Sequence, residues 1–408
     1  MKIAIVGAGP AGLAAIRHCL EAGCECVGYE QTGNIGGIWN YTENADRDEN
    51  GLPVHSSMYQ GLCTNLPKEL MEYEGFYYTE PDHSFITQEE VLRYVRRFAN
   101  DFKLLPYIKF FTQVTLIDPT DDDQWRVRVK NVKTGDVSEN LFDGVLVCNG
   151  HYFEPSLPSI PGMERVETKS IHSHLYRTPD AYKNKRVLVI GAGPSGIDIS
   201  RLVAAVAEKV FLSFSGKPFG GSPQEVAVKP RVRCFEESKA IFEDDTEESF
   251  DHIIYCTGYK NIFPFLSEQC GITVEDNWVK PLYKHLINIE HPSMAITNLI
   301  SAICPFPIFG LQIRFFLALL KGHFTVSKEE MYEDLKVDRA RRDSEKLPLK
   351  KAHFIGTGQG GYCEDLAKTA GIEPVASVIH KMYVHYADSD FARRNYRVID
   401  KDNFVVMQ

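Results

Sequence analysis

The chain has 408 residues, with 45 Lys and Arg against 55 Asp and Glu, so its formal net charge is −10. This length allows two or three domains at roughly 100 to 200 residues each, and the acidic balance offers no electrostatic footprint for nucleic acid. With 44% hydrophobic and 25% charged residues, the composition excludes a disordered or fibrous chain. We therefore expect a folded protein that acts on small molecules.

Ten cysteines are scattered along the chain without any Cys-x-x-Cys pair. This spacing predicts neither a metal site nor a redox dithiol. Scattered thiols favour a soluble cytoplasmic protein, although they do not exclude a secreted one whose signal peptide was removed. The longest apolar stretch, residues 299–320, is broken by prolines and polar residues, so we expect no membrane anchor.

The first predicted elements are a strand, a glycine-rich turn and a helix. The apolar run at 2–6 precedes Gly7-Ala8-Gly9-Pro10-Ala11-Gly12, and residues 13–22 have helical character. In this motif the first glycine permits a tight turn, the second lets the backbone approach a pyrophosphate, and the third allows the helix to pack closely on the strand. The helix N-terminus would then hold the phosphate.

A second predicted strand, residues 24–30, ends in Glu30, which lies 23 positions beyond Gly7. An acid at this distance hydrogen-bonds the adenosine ribose of a bound dinucleotide. The strand, the glycine-rich motif (the fingerprint) and the acid together favour a dinucleotide site over a purely structural glycine turn.

Two further segments in the N-terminal part are candidates for the same site. Gly36-Gly37-Ile38-Trp39 would bring bare backbone against a cofactor that Trp39 covers, or it forms an ordinary tight turn. Thr64-Asn65 places an amide between apolar neighbours, and a buried Asn needs hydrogen-bond partners. A flavin edge or a nicotinamide would supply them, and an ordinary turn is the alternative.

The strand–turn–helix pattern recurs at Gly191-Ala192-Gly193-Pro194-Ser195-Gly196, after the apolar run 186–190. Here Phe214 stands where the first unit has its acid. Because an acid would repel a 2′-phosphate, its absence favours NADP over NAD, whereas a solvated strand end is the alternative. The donors available for that phosphate are Ser213, Ser215 and Lys217.

A quieter repeat predicts the domain organisation. Residues 143–150 and 251–258 share an Asp, an apolar strand, a Cys five positions on and a Gly seven positions on. Each resembles the closing strand of a nucleotide-binding unit. We predict that residues 1–155 and 257–408 form one domain, interrupted by a second at 156–256.

Two dinucleotide units imply that one cofactor passes a hydride to another, so we predict FAD in the first unit and NADP(H) in the second. Since no dithiol is available to accept electrons from the flavin, oxygen or a small acceptor remains. The sequence contains no recognisable nucleophile elbow, metal-binding motif or carboxylate pair.

Several motifs in combination resemble the flavin-containing monooxygenases over nearly the whole chain. Besides the two fingerprints, they are Gly36-Gly37-x-Trp39, Thr64-Asn65, His172-Ser173-x-x-Tyr176-Arg177, Ser195-Gly196-x-Asp198, Cys256-Thr257-Gly258-Tyr259, Phe263-Pro264-Phe265-Leu266, Pro281-Leu282-Tyr283-Lys284-His285 and Gln312-x-Arg314. The length resembles the short soluble branch, which includes alkaloid N-oxygenases, and we expect a pyrrolizidine-alkaloid (senecionine-type) enzyme of xenobiotic metabolism.

The resemblance implies an α/β fold with two Rossmann-like domains, the NADP domain inserted in the FAD domain. It implies Asn65 as the catalytic residue. The FAD site would comprise Gly7, Gly9, Pro10, Ala11, Gly12, Glu30, Gly37, Ile38, Trp39, Thr64, Asn65 and Gln312. The NADP site would comprise His172, Tyr176, Arg177, Gly191, Gly193, Pro194, Ser195, Gly196, Asp198, Ser213, Ser215 and Lys217.

By the same resemblance, NADPH reduces FAD, and O2 then forms a C4a-hydroperoxyflavin. This adduct transfers one oxygen to a nucleophilic nitrogen or sulfur of a small substrate, and a homo-oligomer is expected. The sequence departs from the family at Val166-Glu167-Thr168, where Phe-x-Gly is usual, and lacks an arginine on the 213–215 strand. A Baeyer–Villiger monooxygenase and a peroxide-producing NADPH oxidase are the alternatives.

Overall fold

The computed structural model describes residues 1–237 and 239–407. In the N-terminal part the strands are β1 Lys2–Val6, β2 Glu25–Tyr29, β3 Ile108–Lys109, β4 Thr112–Pro119, β5 Trp125–Asn131, β6 Val137–Phe142, β7 Gly144–Val147 and β8 Glu154–Pro155. In the middle they are β9 Lys169–His172, β10 Arg186–Ile190, β11 Lys209–Ser213, β12 Ala227–Lys229, β13 Val232–Glu236, β14 Lys239–Phe242, β15 Glu247–Ser249 and β16 His252–Tyr255.

In the C-terminal part the strands are β17 Tyr259–Lys260, β18 Thr273–Glu275, β19 Trp278–Lys280, β20 Leu282–Tyr283, β21 Ile287–Asn288, β22 Met294–Ile296, β23 Tyr396–Val398 and β24 Phe404–Val406. The helices are α1 Pro10–Glu21, α2 Gln88–Asp101, α3 Pro194–Ala204, α4 Pro305–Leu320, α5 Lys328–Ser344, α6 Gln359–Ala370 and α7 Ser377–Asp388.

The larger sheet has seven strands in the order β20-β21-β22-β7-β1-β2-β3. It is parallel from β22 to β3, whereas β20, β21 and β22 pair antiparallel. Ile3 and Ile5 pack into the core cluster of α1 and α4, while Ala4 packs on the opposite face with Trp125 and Phe142. Because both faces of β1 are covered, its sequence is apolar without alternation.

The smaller sheet has five parallel strands in the order β12-β11-β10-β16-β9. Its central strand β10 is also covered on both faces. Val187 and Val189 pack with Ile199 of α3, and Leu188 packs on the other side with Phe211. In each sheet a glycine-rich turn follows the strand that is covered on both faces, β1 in the larger sheet and β10 in the smaller.

The two sheets are interleaved along the chain. The larger one takes strands from 2–147 and again from 282–296, and the smaller one takes all its strands from 169–255. The connections between them run side by side, since β8 pairs antiparallel with β17. This arrangement confirms the predicted fold class, with one Rossmann-like unit inserted in the other. The boundaries at 155/156 and 256/257 stay predictions.

The C-terminal helices pack back onto the N-terminal part of the chain. Helix α4 lies against α1, and α7 shares a buried cluster with Leu70 and Tyr396. Tyr396 N donates to Ser84 Oγ at 2.8 Å, which ties the C-terminal hairpin β23–β24 to the segment after Asn65. Across the described residues, no helix combines the length and apolar character needed to cross a membrane.

Candidate functional site between two glycine-rich turns

A cavity of about 1360 Å³ is lined by residues of both parallel units. On one side its wall follows the ends of β1, β2, β7 and β22, and on the other it includes the second glycine turn and residues after β16. In open α/β sheets this edge, beyond the carboxyl ends of the strands, is where ligands bind. The volume exceeds the roughly 300–1,000 Å³ of an ordinary single-ligand pocket.

The first glycine turn fits a dinucleotide phosphate. Gly7 has φ +96°, and a Cβ on Gly12 would lie 2.0 Å from Gly7 O, so the helix packs on the turn only without a side chain. Gly9 caps α1 without a side-chain hydrogen bond, Pro10 follows, and the first turn carries no acid. The free N–H groups at this helix end suit an anion, and Gly7, Gly9, Pro10 and Ala11 line the cavity.

The pair Gly36-Gly37 lies directly on the first glycine turn. Gly36 N donates to Ala8 O at 3.0 Å, and a Cβ on Gly37 would approach Gly9 Cα to 3.0 Å. Both Gly36 and Gly37 have positive φ, which disfavours any side chain there. Two bare strips of backbone therefore flank the cavity, with Gly37, Ile38 and Trp39 in its wall.

Glu30 joins the end of β2 to the first glycine turn. Its Oε2 accepts from Ala8 N at 3.0 Å, and its Oε1 accepts from Thr32 N and Thr32 Oγ1, both at 2.8 Å. Burial raises the pKa of the Glu30 carboxyl, while these hydrogen bonds oppose the rise. The carboxylate lines the cavity with its geometry already fixed, as ribose recognition requires.

Asn65 is held through its backbone and lies in the wall of the cavity. The preceding Thr64 N donates to Ile86 O at 2.8 Å, and Thr64 Oγ1 accepts from Ile86 N at 3.2 Å. Asn65 O accepts from Tyr386 OH at 3.0 Å. Both Thr64 and Asn65 line the cavity, and no described residue hydrogen-bonds the Asn65 amide, which leaves it available to a ligand.

The second glycine turn repeats the first with one difference. Gly191 has φ +107°, and a Cβ on Gly196 would lie 1.8 Å from Gly191 O, whereas a Cβ on Gly193 would meet nothing within 4 Å. Gly193 caps α3 without a side-chain hydrogen bond and Pro194 follows. The cavity wall includes Gly193, Pro194 and Ser195, so this turn also fits a phosphate but is more open.

Asp198 lines the cavity with its carboxylate already engaged. Tyr59 OH, from the first unit, donates to Asp198 Oδ2 at 2.9 Å, and Arg201 donates to Oδ1 at 2.6 Å. Arg393 of the C-terminal segment approaches the same Oδ1 at 3.9 Å. Asp198 therefore joins three parts of the chain, and its predicted contact with NADP would add to that role.

His172, Tyr176 and Arg177 are buried beside the cavity rather than in its wall. His172 Nδ1 accepts from His174 N at 3.1 Å, and burial lowers the pKa of His172 to about 4. The Arg177 guanidinium donates to four carbonyl oxygens: those of Thr42, Ser56, His174 and Tyr176. These contacts tie the segment 172–177 to the first unit, and an NADP contact for all three residues stays a prediction.

The three predicted phosphate donors at and just after the end of β11 also lie outside the cavity wall. Ser213 is buried and donates through Oγ to Pro230 O at 2.8 Å. Ser215 is exposed, and the exposed Lys217 forms an ion pair with Asp390. A coenzyme phosphate would have to compete with Asp390 for this lysine.

Gln312 is fully buried in α4 and supports the wall from behind. Its Oε1 accepts from Asn298 N at 3.1 Å, and its Nε2 donates to Tyr362 OH at 2.8 Å. Asn298 lines the cavity with φ +63°. Gln312 thus fixes a wall residue in the left-handed conformation, and direct contact with the flavin stays a prediction.

Sequence reasoning missed several residues of the cavity wall. His55 and His151 line it, and burial lowers the pKa of each imidazole to about 4, so both are neutral at pH 7. The signal for His151 was present, because it follows the closing strand of the first unit. Tyr383 and Tyr386 carry no motif, and only the fold brings them to the wall.

Two Rossmann-like units that face one cavity define a two-dinucleotide enzyme. The model of the flavin-binding monooxygenase-like family matches residues 1–219 and 223–388, and the chain belongs to this family. It is an enzyme of the flavin-containing monooxygenase type, so the resemblance stated from the sequence is confirmed. The predicted cofactors, FAD and NADP(H), agree with this membership.

Relatives and solved structures cover nearly the whole chain. The chain is 37% identical to flavin-containing monooxygenase FMO GS-OX5 of Arabidopsis thaliana, over 92% of this chain and 86% of that one. It is 32% identical to senecionine N-oxygenase of Tyria jacobaeae, over 99% and 91%. The structure of S-allyl-L-cysteine S-oxygenase from Allium sativum superposes with a TM-score of 0.88 at 32% identity, covering 95% and 92%.

Proposed function

We propose that the chain is an NADPH- and O2-dependent monooxygenase that transfers one oxygen atom to the sulfur of a thioether or the nitrogen of a tertiary amine in a small molecule. The observation that carries this proposal is the shared cavity, which both glycine turns and Asn65 line. The S-oxygenase and N-oxygenase relatives support the same heteroatom chemistry.

The described residues would hold the two cofactors at opposite sides of the cavity. The N-terminus of α1, the Gly37 backbone and Glu30 would bind FAD, and the N-terminus of α3 would bind the NADP(H) pyrophosphate. When bound, a flavin reduced by NADPH supplies the activation of O2. The protein must then exclude water and fix the reacting groups.

The wall of the cavity suits a reaction that needs no protein base. It includes the apolar side chains of Leu66, Ile300, Phe306 and Phe309, and such side chains exclude water. The imidazoles of His55 and His151 are neutral at pH 7, because burial lowers the pKa of each to about 4. With so low a pKa, neither imidazole is an effective general base at pH 7.

The direct test supplies FAD-loaded enzyme with NADPH, ¹⁸O2 and one substrate at a time. S-allyl-L-cysteine is the thioether probe, senecionine the amine probe and cyclohexanone the ketone probe. We expect one labelled S-oxide or N-oxide for each NADPH consumed, by mass spectrometry. An ester from the ketone alone would indicate a Baeyer–Villiger enzyme, and peroxide with every probe would indicate an oxidase.

Asn65→Ala tests the amide within this site. Removal of the amide leaves the first glycine turn and Glu30 intact, so the variant should retain FAD, shown by its absorption spectrum. Oxygenated product should fall and peroxide rise, because one neutral hydrogen bond is worth about 0.5–1.5 kcal/mol, or roughly 2- to 13-fold. Full product yield per NADPH in this variant would remove Asn65 from the reacting site.

A further inference from the structure

Helix α7 contributes two buried phenols that each hold one segment of the cavity wall. Tyr383 and Tyr386 lie three positions apart on one face of the helix and are 4% and 1% exposed. Tyr383 OH donates to Ala302 O at 2.6 Å, and Tyr386 OH donates to Asn65 O at 3.0 Å. A single helix face therefore contacts both segments, which are far apart in the sequence.

The hydrogen bond to Asn65 O holds the peptide group that follows Asn65. The pairing of Thr64 with Ile86 holds only the peptide group that precedes it. Thr64 is held on both sides by Ile86, which sets the chain entering Asn65. The peptide leaving Asn65 is oriented by the hydroxyl of Tyr386. Since the direction of a side chain follows from the backbone on both sides of its Cα, this hydroxyl bears on where the free amide points.

The helix that carries these phenols is itself firmly placed. Tyr386 packs in a buried cluster with Leu70, Cys304, Met382 and Tyr396. Leu70 belongs to the segment just after Asn65, so the cluster also restrains that segment. Close apolar packing of this kind restricts the movement of the helix, so the hydroxyl that donates the hydrogen bond is held in a fixed position.

We propose that Tyr386 is a positioning residue that sets the orientation of the Asn65 amide, and that Tyr383 holds a second segment of the cavity wall through Ala302. This inference rests on the proposed oxygen transfer and on the role proposed for Asn65. It assigns the C-terminal helix a function in directing oxygen to the substrate rather than to free peroxide.

The test is a double-mutant cycle between Tyr386→Phe and Asn65→Ala. The measured quantity is the ratio of oxygenated product to peroxide per NADPH, on a logarithmic scale, at saturating S-allyl-L-cysteine. Tyr386→Phe alone should lower this ratio about three- to tenfold, with the KM for NADPH unchanged. In the Asn65→Ala background it should change nothing further, because the carbonyl remains but the amide it orients is gone.

Tyr396→Phe is the matched control. Its hydroxyl belongs to the same buried cluster, yet it donates no hydrogen bond to a residue of the cavity wall in the described part of the chain. Its removal should leave the product-to-peroxide ratio and the melting temperature unchanged. Tyr383→Phe should lower the ratio independently of Asn65, so its effect should be the same in both backgrounds.

A wild-type ratio for Tyr386→Phe, or an equal loss in both backgrounds, would overturn the proposal. The melting temperature and the visible absorption of bound FAD are recorded for each variant, so that a loss of structure is recognised as such. If the wild-type enzyme oxygenates no thioether or amine, the proposed function fails, and this outcome is distinct from a wild-type enzyme that couples fully while Tyr386→Phe has no effect.

Discussion

The two glycine-rich turns share one sequence pattern, but the structure surrounds them differently. At the first turn Gly9 faces the Gly37 backbone, and Glu30 bonds Ala8 N at the centre of the motif. At the second, the position of Gly193 is open and no carboxylate ends β11. The contrast favours a retained dinucleotide in the first unit and an exchangeable one in the second, because enclosure slows release.

The largest expected effect comes from adding a methyl group where each helix crosses its turn. In Gly12→Ala and Gly196→Ala the new Cβ would stand 2.0 and 1.8 Å from the carbonyl oxygens of Gly7 and Gly191. We expect each variant to lose at least about 3 kcal/mol of unfolding free energy, measured by urea denaturation. Gly193→Ala is the control, and its stability should match the wild type while its affinity for NADPH falls.

Glu30→Gln tests whether the acid makes the first turn the tighter one. The amide retains one acceptor oxygen, so either the Ala8 or the Thr32 contact is lost, at about 1.5–3 kcal/mol for a charged acceptor. We expect FAD affinity to fall roughly 10- to 100-fold, by fluorescence titration of apoenzyme. Affinity for NADP⁺ should stay unchanged. An equal loss of NADP⁺ affinity would mean that Glu30 does not distinguish the first unit from the second.

The closing strands differ as well, since His151 follows the first and Tyr259 the second. Burial holds the pKa of His151 at about 4, against an ordinary value near 6.5. The unfolded chain therefore binds more protons than the folded one between pH 6.5 and 4, and stability is lost as pH falls through that window.

In His151→Phe the unfolding free energy should fall less steeply as the pH is lowered, with a slope smaller by roughly one proton. The measurement is the unfolding free energy by urea at pH 4.5, 5.5 and 7. Tyr259→Phe serves as the control, because a phenol does not titrate in this range. A slope for His151→Phe equal to that of the wild type would mean that the imidazole is already accessible to protons.

Lys217 is expected to give the smallest effect, because its side chain is exposed and already paired with Asp390. If it also contacts the coenzyme 2′-phosphate, Lys217→Ala should raise the KM for NADPH about two- to fivefold and leave that for NADH unchanged. Asp390→Asn should lower the KM for NADPH by releasing the lysine. An equal change for both coenzymes would exclude Lys217 from phosphate recognition.

The sequence anticipated the parts of the fold whose chemistry is local. Each fingerprint needs its glycines within six residues, and Glu30 follows at a fixed distance, so pattern alone located them. It could not anticipate that Arg177 bonds four carbonyls or that Gln312 supports Asn298. Those contacts depend on partners far away in the chain, and the type of a single residue does not predict which partners it will have.

By itself, the sequence determined the class of this protein: two Rossmann-like units with a flavin-monooxygenase pattern and an Asn65 candidate. Local spacing suffices for this, because a strand, a turn and a helix are adjacent in the chain. Only the tertiary structure brought Tyr386 to Asn65, across 321 positions, and left the second turn more open than the first. Such pairings follow from how elements pack, and packing is decided by the whole fold rather than by any one segment.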